Sequence, residues 1–499
     1  MMGSTWESRR GYVNLLLFGL IFELFLLLVT FKAFHNPVTH DEAFTAIHYT
    51  QYSYWEIMMY PDSWPNNHIL NTLLIKLFSS IFGMEQWAIR IPNLLAFLLY
   101  SFAIFRIVSS TLRFDSFMFL PASILFICNP YLLDFFSLAR GYGLCIGLST
   151  LSVSYLVTGI KLFHIKDLWL AFYLAILASY ASFPAIIVFL AITIIVLFYL
   201  IIISRSQGKN SVVSLVTLCM SCIVYGLLIL GPFLKMKKDN MFDLFTSQGF
   251  YEATMLSLTH NMVTEYPEST VWDQPLAIGL LLVVVINVVI VTVRFVTSKE
   301  RTQEFRKPVW ISSMVLILVV TLNFLEHILI KTPYLAGRIG LFYFPLFTFS
   351  LVCLIQFIDL SKSRFIKLLF SVVVSIALLA HLCLNVRLSY FREWWFDAHT
   401  MDVINFLSST EKRDSVKLKA HWLFAPSLTF YKETGKAMKI DLLISDKNID
   451  VNTDADYYYI FTEDYELLKS RFDPVWESSG RFMLVKAKPT TPSDHKINQ

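Results

Sequence analysis

The chain has 499 residues, of which 56% are hydrophobic and 16% charged, and its net charge is +4. This composition departs from the soluble globular average towards long bilayer-spanning runs, and so excludes an ordinary soluble domain. Because the basic residues are dispersed, it also excludes a nucleic-acid-binding surface built from clustered Lys and Arg.

Apolar runs of bilayer length predict about eleven membrane spans. They lie at roughly 12–33, 88–112, 115–130, 141–163, 167–182, 184–204, 211–232, 276–297, 309–327, 339–358 and 367–388. The first run is longer than the hydrophobic region of a signal peptide, so we interpret it as a retained span.

Basic residues mark alternate connections between these spans. They are Arg9, Arg10, Arg113, Lys161, Lys166, Arg205, Lys209, Lys299, Arg301, Arg306, Lys307, Lys362, Arg364 and Lys367. The positive-inside rule then predicts a cytoplasmic N-terminus. The loop 34–87 and the chain from residue 390 onwards are predicted to lie on the outer face.

The first outer loop carries two adjacent acids, Asp41 and Glu42, in the stretch HNPVTHDEAFTAIHY. A carboxylate this close to a membrane is costly unless it faces water or a cation, so it indicates function. Thr39 and Glu42 also fit a capping box, which leaves a structural and a catalytic role open for Glu42. Asp41 is not needed for that box. In the first turn of a helix its ionised form is favoured, as a general base requires.

Further polar residues surround the two acids in this loop: His40, His48, Asn67 and His68. The apolar and aromatic pattern predicts two helices lying on the bilayer surface, one with the acids and one beginning at His68, which frame a cavity. A divalent metal is an alternative ligand for the Asp, Glu and His residues. However, no ordered metal-ligand spacing is present, so we expect no obligatory metal or other cofactor.

Several basic side chains are predicted at the outer ends of later spans. Arg90 begins the second span, Arg140 begins the fourth just after Asp134, and Lys331 and Arg338 flank Tyr334 at the entrance of the tenth. For each one alone, snorkelling at the interface is the structural alternative. Together with a carboxylate, they favour an anionic, phosphorylated and amphipathic ligand.

From about residue 390 the apolar runs shorten and charged residues return. SVKLKAHWLF, DYYYIF and RFMLVKAK are typical of strands, and EDYELLKSRF of a helix. We therefore predict an α-helical polytopic membrane domain, 1–389, followed by a small extracytoplasmic α/β domain, 390–499. This second domain is either a stabilising cap or a site for acceptor docking.

Four motifs carry a resemblance to a known family. HDEAFTAIHY follows the first span, NNHILNTLLIKLFSSIFGMEQWAIRIPNLLAF leads into the second, and LARGYGLCIGL and PYLAGRIGLFYFPLF come later. They resemble the GT-C class of membrane glycosyltransferases, specifically bacterial relatives of the protein mannosyltransferases and of the aminoarabinose lipid A transferase. The resemblance implies inverting transfer of one sugar from a polyprenyl-phosphate carrier to a glycan, lipid or protein, at the outer face of the bacterial inner membrane.

The resemblance also implies roles for single residues. Asp41 would be the catalytic base and Glu42 the second member of an acidic pair. His68 would help to hold the donor phosphate, Arg140 and Tyr142 would lie near the cavity, and Arg338 near the carrier phosphate. Because the first outer loop lacks the D-x-D motif of the oligosaccharyltransferase branch, the sequence resembles the metal-independent branch.

Two other functions remain open from the sequence. A transporter or flippase of a lipid-linked saccharide would also need many spans, although no related halves are visible. A ligase that moves whole glycans could use the long loop from Lys235 to Gln274.

Overall fold

The computed structural model describes residues 2–206, 212–241, 248–263, 270–359, 363–444 and 454–488. Within these ranges a helical bundle precedes a small domain built on a five-stranded sheet. The helices are α1 (Met2–His35), α2 (His40–His48), α3 (Tyr54–Met58), α4 (Ile69–Phe82), α5 (Gln86–Thr111), α6 (Phe119–Ile127), α7 (Pro130–Phe136), α8 (Gly141–Leu162), α9 (Ile165–Ala181), α10 (Ile186–Ser206), α11 (Val212–Lys238), α12 (Ser257–Val263), α13 (Asp273–Thr297), α14 (Arg301–Glu304), α15 (Pro308–Ile330), α16 (Tyr343–Asp359), α17 (Arg364–Asn385), α18 (Thr400–Thr410), α19 (Ala425–Glu433) and α20 (Tyr465–Leu468). Shorter helical turns cover Tyr49–Gln51, Phe183–Ala185, Tyr251–Leu256, Gly337–Gly340, Arg392–Asp397 and Thr462–Asp464.

Eight helices of the described chain are long and apolar enough to cross a membrane: α1, α5, α8, α10, α11, α13, α15 and α17. The pair α6 and α7, bent by 65°, would be a ninth span. All eleven predicted runs fall on helices, but α9 and α16 have only 17 residues each. The multi-pass helical fold is therefore confirmed, and the count of eleven stays a prediction.

Helix α8 lies at the centre of the bundle. Of its most apolar stretch 89% is buried, against 6% for α17, which presents its surface outwards. Two glycines allow the close packing: a Cβ on Gly143 would lie 2.3 Å from the carbonyl oxygen of Phe135, and one on Gly147 would lie 2.7 Å from that of Ala96. Small residues let helix backbones approach in this way. This packing fixes the beginning of α8, directly after Arg140.

The basic connections meet at one end of the bundle. Arg306 donates from Nε to the carbonyl of Lys161 at 3.1 Å, and the Lys161 amine donates to the carbonyl of Ser110 at 2.9 Å. Asn14, near the beginning of α1, donates to the carbonyl of Ser116 at 2.9 Å. The opposite end of α1 leads into α2, so α2 and the basic connections lie at opposite ends.

The C-terminal domain is α/β, as predicted. Its strands β1 (Val416–Ala420), β2 (Ile440–Ile444), β3 (Tyr457–Phe461), β4 (Phe472–Ser478) and β5 (Phe482–Ala487) have the order β2-β1-β3-β5-β4. β1 is parallel to β2 and β3, whereas β5 is antiparallel to β3 and β4.

The three predicted strands correspond to β1, β3 and β5, but the helix predicted over EDYELLKSRF is wrong in extent. Only Tyr465–Leu468 is α-helical, because Phe472 already begins β4 and pairs with Ala487. Pairing along the whole of β5 outweighs local helix propensity there.

The C-terminal domain docks on the beginning of α2 through α19. The Tyr431 hydroxyl accepts from the Val38 amide and donates to Gln86, both at 2.8 Å. The Ser427 hydroxyl donates to the carbonyl of Val38 at 2.5 Å. The chain that enters α2 is thus held by the C-terminal domain.

Asp134 belongs to a buried ion pair that the sequence did not reveal. Its carboxylate bonds to the amine of Lys32, whose side chain is 1% exposed, and also accepts from the Arg392 amide at 3.0 Å. The pair joins α1, α7 and the segment after α17. It is structural, so Asp134 supports the end of the bundle next to α2 without facing solvent.

Removing one partner of this pair should destabilise the fold strongly. We expect Asp134→Ala to cost about 3–5 kcal/mol, because it leaves the Lys32 charge buried and unpaired. Thermal melting of the purified protein in detergent measures the effect. The double variant Lys32→Met/Asp134→Leu should recover most of the loss, and Asp454→Asn, in a surface pair with Lys417, should melt like the wild type. Equal melting of Asp134→Ala and Asp454→Asn would refute this assignment.

Candidate functional site

A capping box sets the direction of α2, as the sequence predicted. The Thr39 hydroxyl accepts from the Glu42 amide at 3.5 Å, and the Glu42 carboxylate accepts from the Thr39 amide at 2.9 Å. This places Asp41 in the first turn of α2, shortly after the C-terminal end of α1.

Glu42 and Arg90 form a buried ion pair beneath that turn. Arg90 donates from two nitrogens to the two carboxylate oxygens, at 2.8 and 2.7 Å, and both side chains are fully buried. Glu42 also accepts from the Ala139 amide at 2.5 Å. Arg90 donates in addition to the carbonyls of Asn36 and Pro37, at 2.7 and 2.8 Å. Neither residue is open to a substrate, so we assign both to positioning and not to the catalytic and phosphate-binding roles expected from the sequence.

The Asp41 carboxylate lies between two guanidinium groups. Its Oδ2 is 3.3 Å from a nitrogen of Arg338 and 3.6 Å from a nitrogen of Arg140. The Asp41 side chain is 17% exposed and that of Arg338 is 31% exposed. These distances exceed the 2.7–2.9 Å or so of an optimal charge-assisted hydrogen bond. Both cations therefore keep donor capacity for another anion.

Two opposing effects set the pKa of Asp41. Burial raises it, but the charges of Arg140 and Arg338 outweigh burial, so the pKa of Asp41 is lowered from its ordinary value of 3.8. The carboxyl group is thus ionised at neutral pH.

Hydrogen bonds to neighbouring side chains fix the orientation of Arg140. It donates to the Thr45 hydroxyl at 2.9 Å and to the side-chain oxygen of Asn66 at 2.5 Å, and its own side chain is 2% exposed. The sequence pointed to Asn67 instead. Asn67 holds the loop, donating to the carbonyl of Ile57 at 3.1 Å and accepting from Thr72 at 2.9 Å.

Arg338 is oriented by residues that sequence reasoning missed. Its guanidinium lies 4.7 Å from the Trp394 ring centre and 3.4 Å from a Glu393 oxygen. The Tyr131 hydroxyl donates to the other Glu393 oxygen. Tyr142, a predicted site residue, has its ring centre 5.9 Å from the Arg338 guanidinium.

His68 lies beside this cluster at the beginning of α4. Its Nδ1 is 3.0 Å from the carbonyl of Ala181, and its ring meets the Tyr142 ring edge-on at 4.7 Å. Burial, aided by the charge of Arg140, lowers the pKa of His68 well below 6.5. The imidazole is therefore neutral.

Three other predicted residues lie outside the cluster. His48 contacts Asp62 at 3.0 Å, and the His40 ring contacts the carbonyl of Leu423 at 2.9 Å. Lys331 is exposed after α15, in a left-handed backbone conformation. Within the described chain it forms no hydrogen bond or ion pair with Asp41 or Arg338.

A further carboxyl group, on Asp397, was not anticipated. It accepts from the His40 amide at 2.7 Å and is 2% exposed. Burial raises the pKa of Asp397 well above 3.8, and the charges of Asp41 and Glu42 add to the effect. Burial therefore disfavours a second negative charge next to Asp41.

Two cavities of about 340 Å³ occur elsewhere on the molecule. One is lined by Ile47, Gln51, Met84, Glu85 and Glu433 among others, and neither is lined by Asp41. The cavity framed by α2 and α4 stays a prediction. Among the residues that the structure describes, no three His, Cys, Asp or Glu side chains group as metal ligands would.

The chain is similar to two solved structures of ArnT from Cupriavidus metallidurans. Against the apo state the TM-score is 0.49 with 12% identity, covering 97% of this chain and 100% of that one. Against the structure bound to undecaprenyl phosphate it is 0.49 with 11% identity, covering 95% and 99%. No family model and no curated protein matches the sequence. The likeness assigns no role to any residue of this chain.

The pKa of Asp41 predicts a pH-dependent effect on stability. Because folding lowers this pKa, ionised Asp41 stabilises the fold at neutral pH, and the contribution is lost as the pH falls through the folded-state pKa below 3.8. Asp41→Asn should therefore lower the melting temperature at pH 7 and have less effect at pH 3. In an Arg338→Gln background the difference should shrink, because one of the two cations is gone. A difference that is independent of pH would contradict the ion-pair assignment.

Proposed function

We propose that the protein is a glycosyltransferase that moves a single sugar from a polyprenyl-phosphate carrier to a hydroxyl group of a glycan, lipid or protein. The observation that carries the proposal is the ionised, partly exposed Asp41 carboxylate between Arg140 and Arg338. A base beside two anion-binding cations is the combination that such a transfer needs.

In the proposed step, Asp41 takes the proton of the acceptor hydroxyl. The acceptor oxygen then forms a bond to the anomeric carbon, while the bond from that carbon to the phosphate oxygen breaks. The carrier phosphate leaves with the electron pair, and the configuration at the anomeric carbon inverts. Arg338 and Arg140 stabilise the charge that develops on the phosphate.

Binding of the carrier would also activate the base. In the free protein the guanidinium groups of Arg140 and Arg338 lower the pKa of Asp41 and so weaken it as a proton acceptor. A phosphate that pairs with these same groups offsets their charge at Asp41. Its arrival therefore raises the basicity of Asp41 only when the donor is in place.

The nature of the carrier supports a site at the membrane surface. Each CH₂ buried in the bilayer contributes about 0.8 kcal/mol, so an isoprenoid phosphate stays in the membrane and reacts at the interface. Asp41 follows the end of α1 opposite the basic connections. Under the positive-inside rule this supports an outer-face reaction in a bacterial inner membrane, with a cytoplasmic N-terminus.

We also propose that no divalent metal is required. Two guanidinium groups already supply positive charge beside Asp41. Their charge disfavours a further cation at this carboxylate.

Replacing the base should abolish transfer. We expect Asp41→Asn to lower release of polyprenyl phosphate from labelled carrier-linked sugars by about 10²- to 10⁴-fold, because a positioned general base contributes that much. Purified protein in lipid nanodiscs is assayed beside Glu85→Gln, which alters a surface acid of the same outer loop, paired with Lys436. Turnover of Asp41→Asn equal to that of Glu85→Gln would refute the proposal.

Replacing the phosphate-binding cation should weaken the carrier complex. We expect Arg338→Gln to bind undecaprenyl phosphate about 10- to 100-fold more weakly, since a hydrogen bond to a charged group contributes about 1.5–3 kcal/mol. Lys331→Gln, which removes an exposed cation outside the cluster, should bind normally. Equal weakening in both variants, measured by titration in nanodiscs, would indicate a general effect of charge.

A further inference from the structure

The imidazole of His68 is held by two close contacts. Its Nδ1 is 3.0 Å from the Ala181 carbonyl oxygen. Gly141 packs beside this contact so closely that a Cβ there would lie 2.7 Å from the Cβ of His68 and 1.9 Å from the Ala181 oxygen. Any larger residue at 141 would displace the ring. The orientation of the imidazole is therefore fixed before any ligand arrives.

The contact with Ala181 also fixes the tautomer. A carbonyl oxygen can only accept, so Nδ1 carries the hydrogen, and Nε2 of the neutral ring has a free lone pair. This Nε2 atom is buried and has no hydrogen-bond partner among the described residues. Only 7% of His68 is exposed. A buried acceptor without a partner is unfavourable and calls for an explanation.

The surroundings keep the ring neutral. The charged groups that act on it are Arg140 at the beginning of α8, Arg338 in the Gly337–Gly340 turn and Asp41 on α2. Burial and the two guanidinium groups oppose an imidazolium ion and outweigh the hydrogen bond to Ala181 and the charge of Asp41, which favour it. Tyr142 covers one side of the ring. His68 thus offers a hydrogen-bond acceptor beside the Asp41 cluster.

We propose that Nε2 of His68 accepts a hydrogen bond from a hydroxyl group, either of the transferred sugar or of the acceptor, and does not hold the carrier phosphate. This inference rests on the proposed function. The phosphate diester of the carrier is ionised at neutral pH and has no hydrogen to donate, so it would meet a bare lone pair. A hydroxyl group donates the hydrogen that Nε2 lacks. The phosphate-holding role expected for His68 from the sequence is replaced accordingly.

Two substitutions separate a hydroxyl-binding from a phosphate-binding role. His68→Phe keeps the ring but removes the acceptor, and His68→Lys supplies a cation. We expect both variants to lose about tenfold or more in kcat/KM for sugar transfer from undecaprenyl-phosphoryl monosaccharides. Both should bind undecaprenyl phosphate, which carries no sugar, within twofold of the wild type. Weakened binding in His68→Phe that His68→Lys restores would overturn the proposal.

The same variants show whether the sugar or the acceptor donates the hydrogen bond to Nε2. Hydrolysis of the sugar carrier by water, without acceptor, should fall in His68→Phe if the sugar donates the hydrogen bond. If the acceptor donates it, only transfer should fall. A variant in which neither reaction falls would contradict the proposal. Thermal melting shows whether each variant is folded.

A spectroscopic measurement tests, independently of turnover, whether Nε2 of His68 is a hydrogen-bond acceptor. In ¹⁵N NMR of the wild type in nanodiscs, with the signal assigned by its loss in His68→Gln, His68 should carry hydrogen on Nδ1 alone at neutral pH. An imidazolium ion or hydrogen on Nε2 would overturn the inference. If the wild type released no polyprenyl phosphate from any carrier, that result would count against the proposed function, and the NMR result would still decide whether His68 offers an acceptor.

Discussion

The placement of α2 depends on the buried ion pair between Glu42 and Arg90. A buried arginine is tolerated only when its charge and donors are satisfied, and here one carboxylate and the carbonyls of Ala33, Asn36 and Pro37 satisfy them. Glu42 in turn accepts from the amide of Ala139. In the sequence, Asp41 directly precedes Glu42 and Arg140 directly follows Ala139. One interaction therefore sets the distance between the proposed base and a phosphate-binding cation.

That arrangement gives the site an electrostatic asymmetry. Asp41 shares one negative charge between two guanidinium groups that are both beyond optimal hydrogen-bond distance. Burial, together with the charges of Asp41 and Glu42, raises the pKa of Asp397 and so disfavours a second negative charge there. The cluster can accept an anion without expelling a group of its own, because the pairs it already contains are loose.

The sequence was informative where the signal was local. The Thr39–Glu42 capping box, the apolar runs and the beginning of α4 after His68 each depend on residues a few positions apart. The partners that define the site are distant. Glu42 meets Arg90 across 48 positions, and Tyr131 meets Glu393 across 262.

No pattern in a single sequence links positions so far apart. For that reason Glu42 and Arg90 could be expected at the site, although their pairing with each other could not. Asn66 and Asn67 show the same limit at short range: both lie in a polar turn, and only the fold decides that Asn66 reaches Arg140.

Residues of the C-terminal region contribute directly to the geometry of the site. Glu393 and Trp394, which orient Arg338, lie beyond the boundary predicted at residue 390, and α19 holds Val38 at the entrance to α2. The segment that follows the last span therefore contributes to the geometry of the membrane domain. Since the Tyr431 hydroxyl bonds at once to Val38 and Gln86, the C-terminal domain joins the beginnings of α2 and α5.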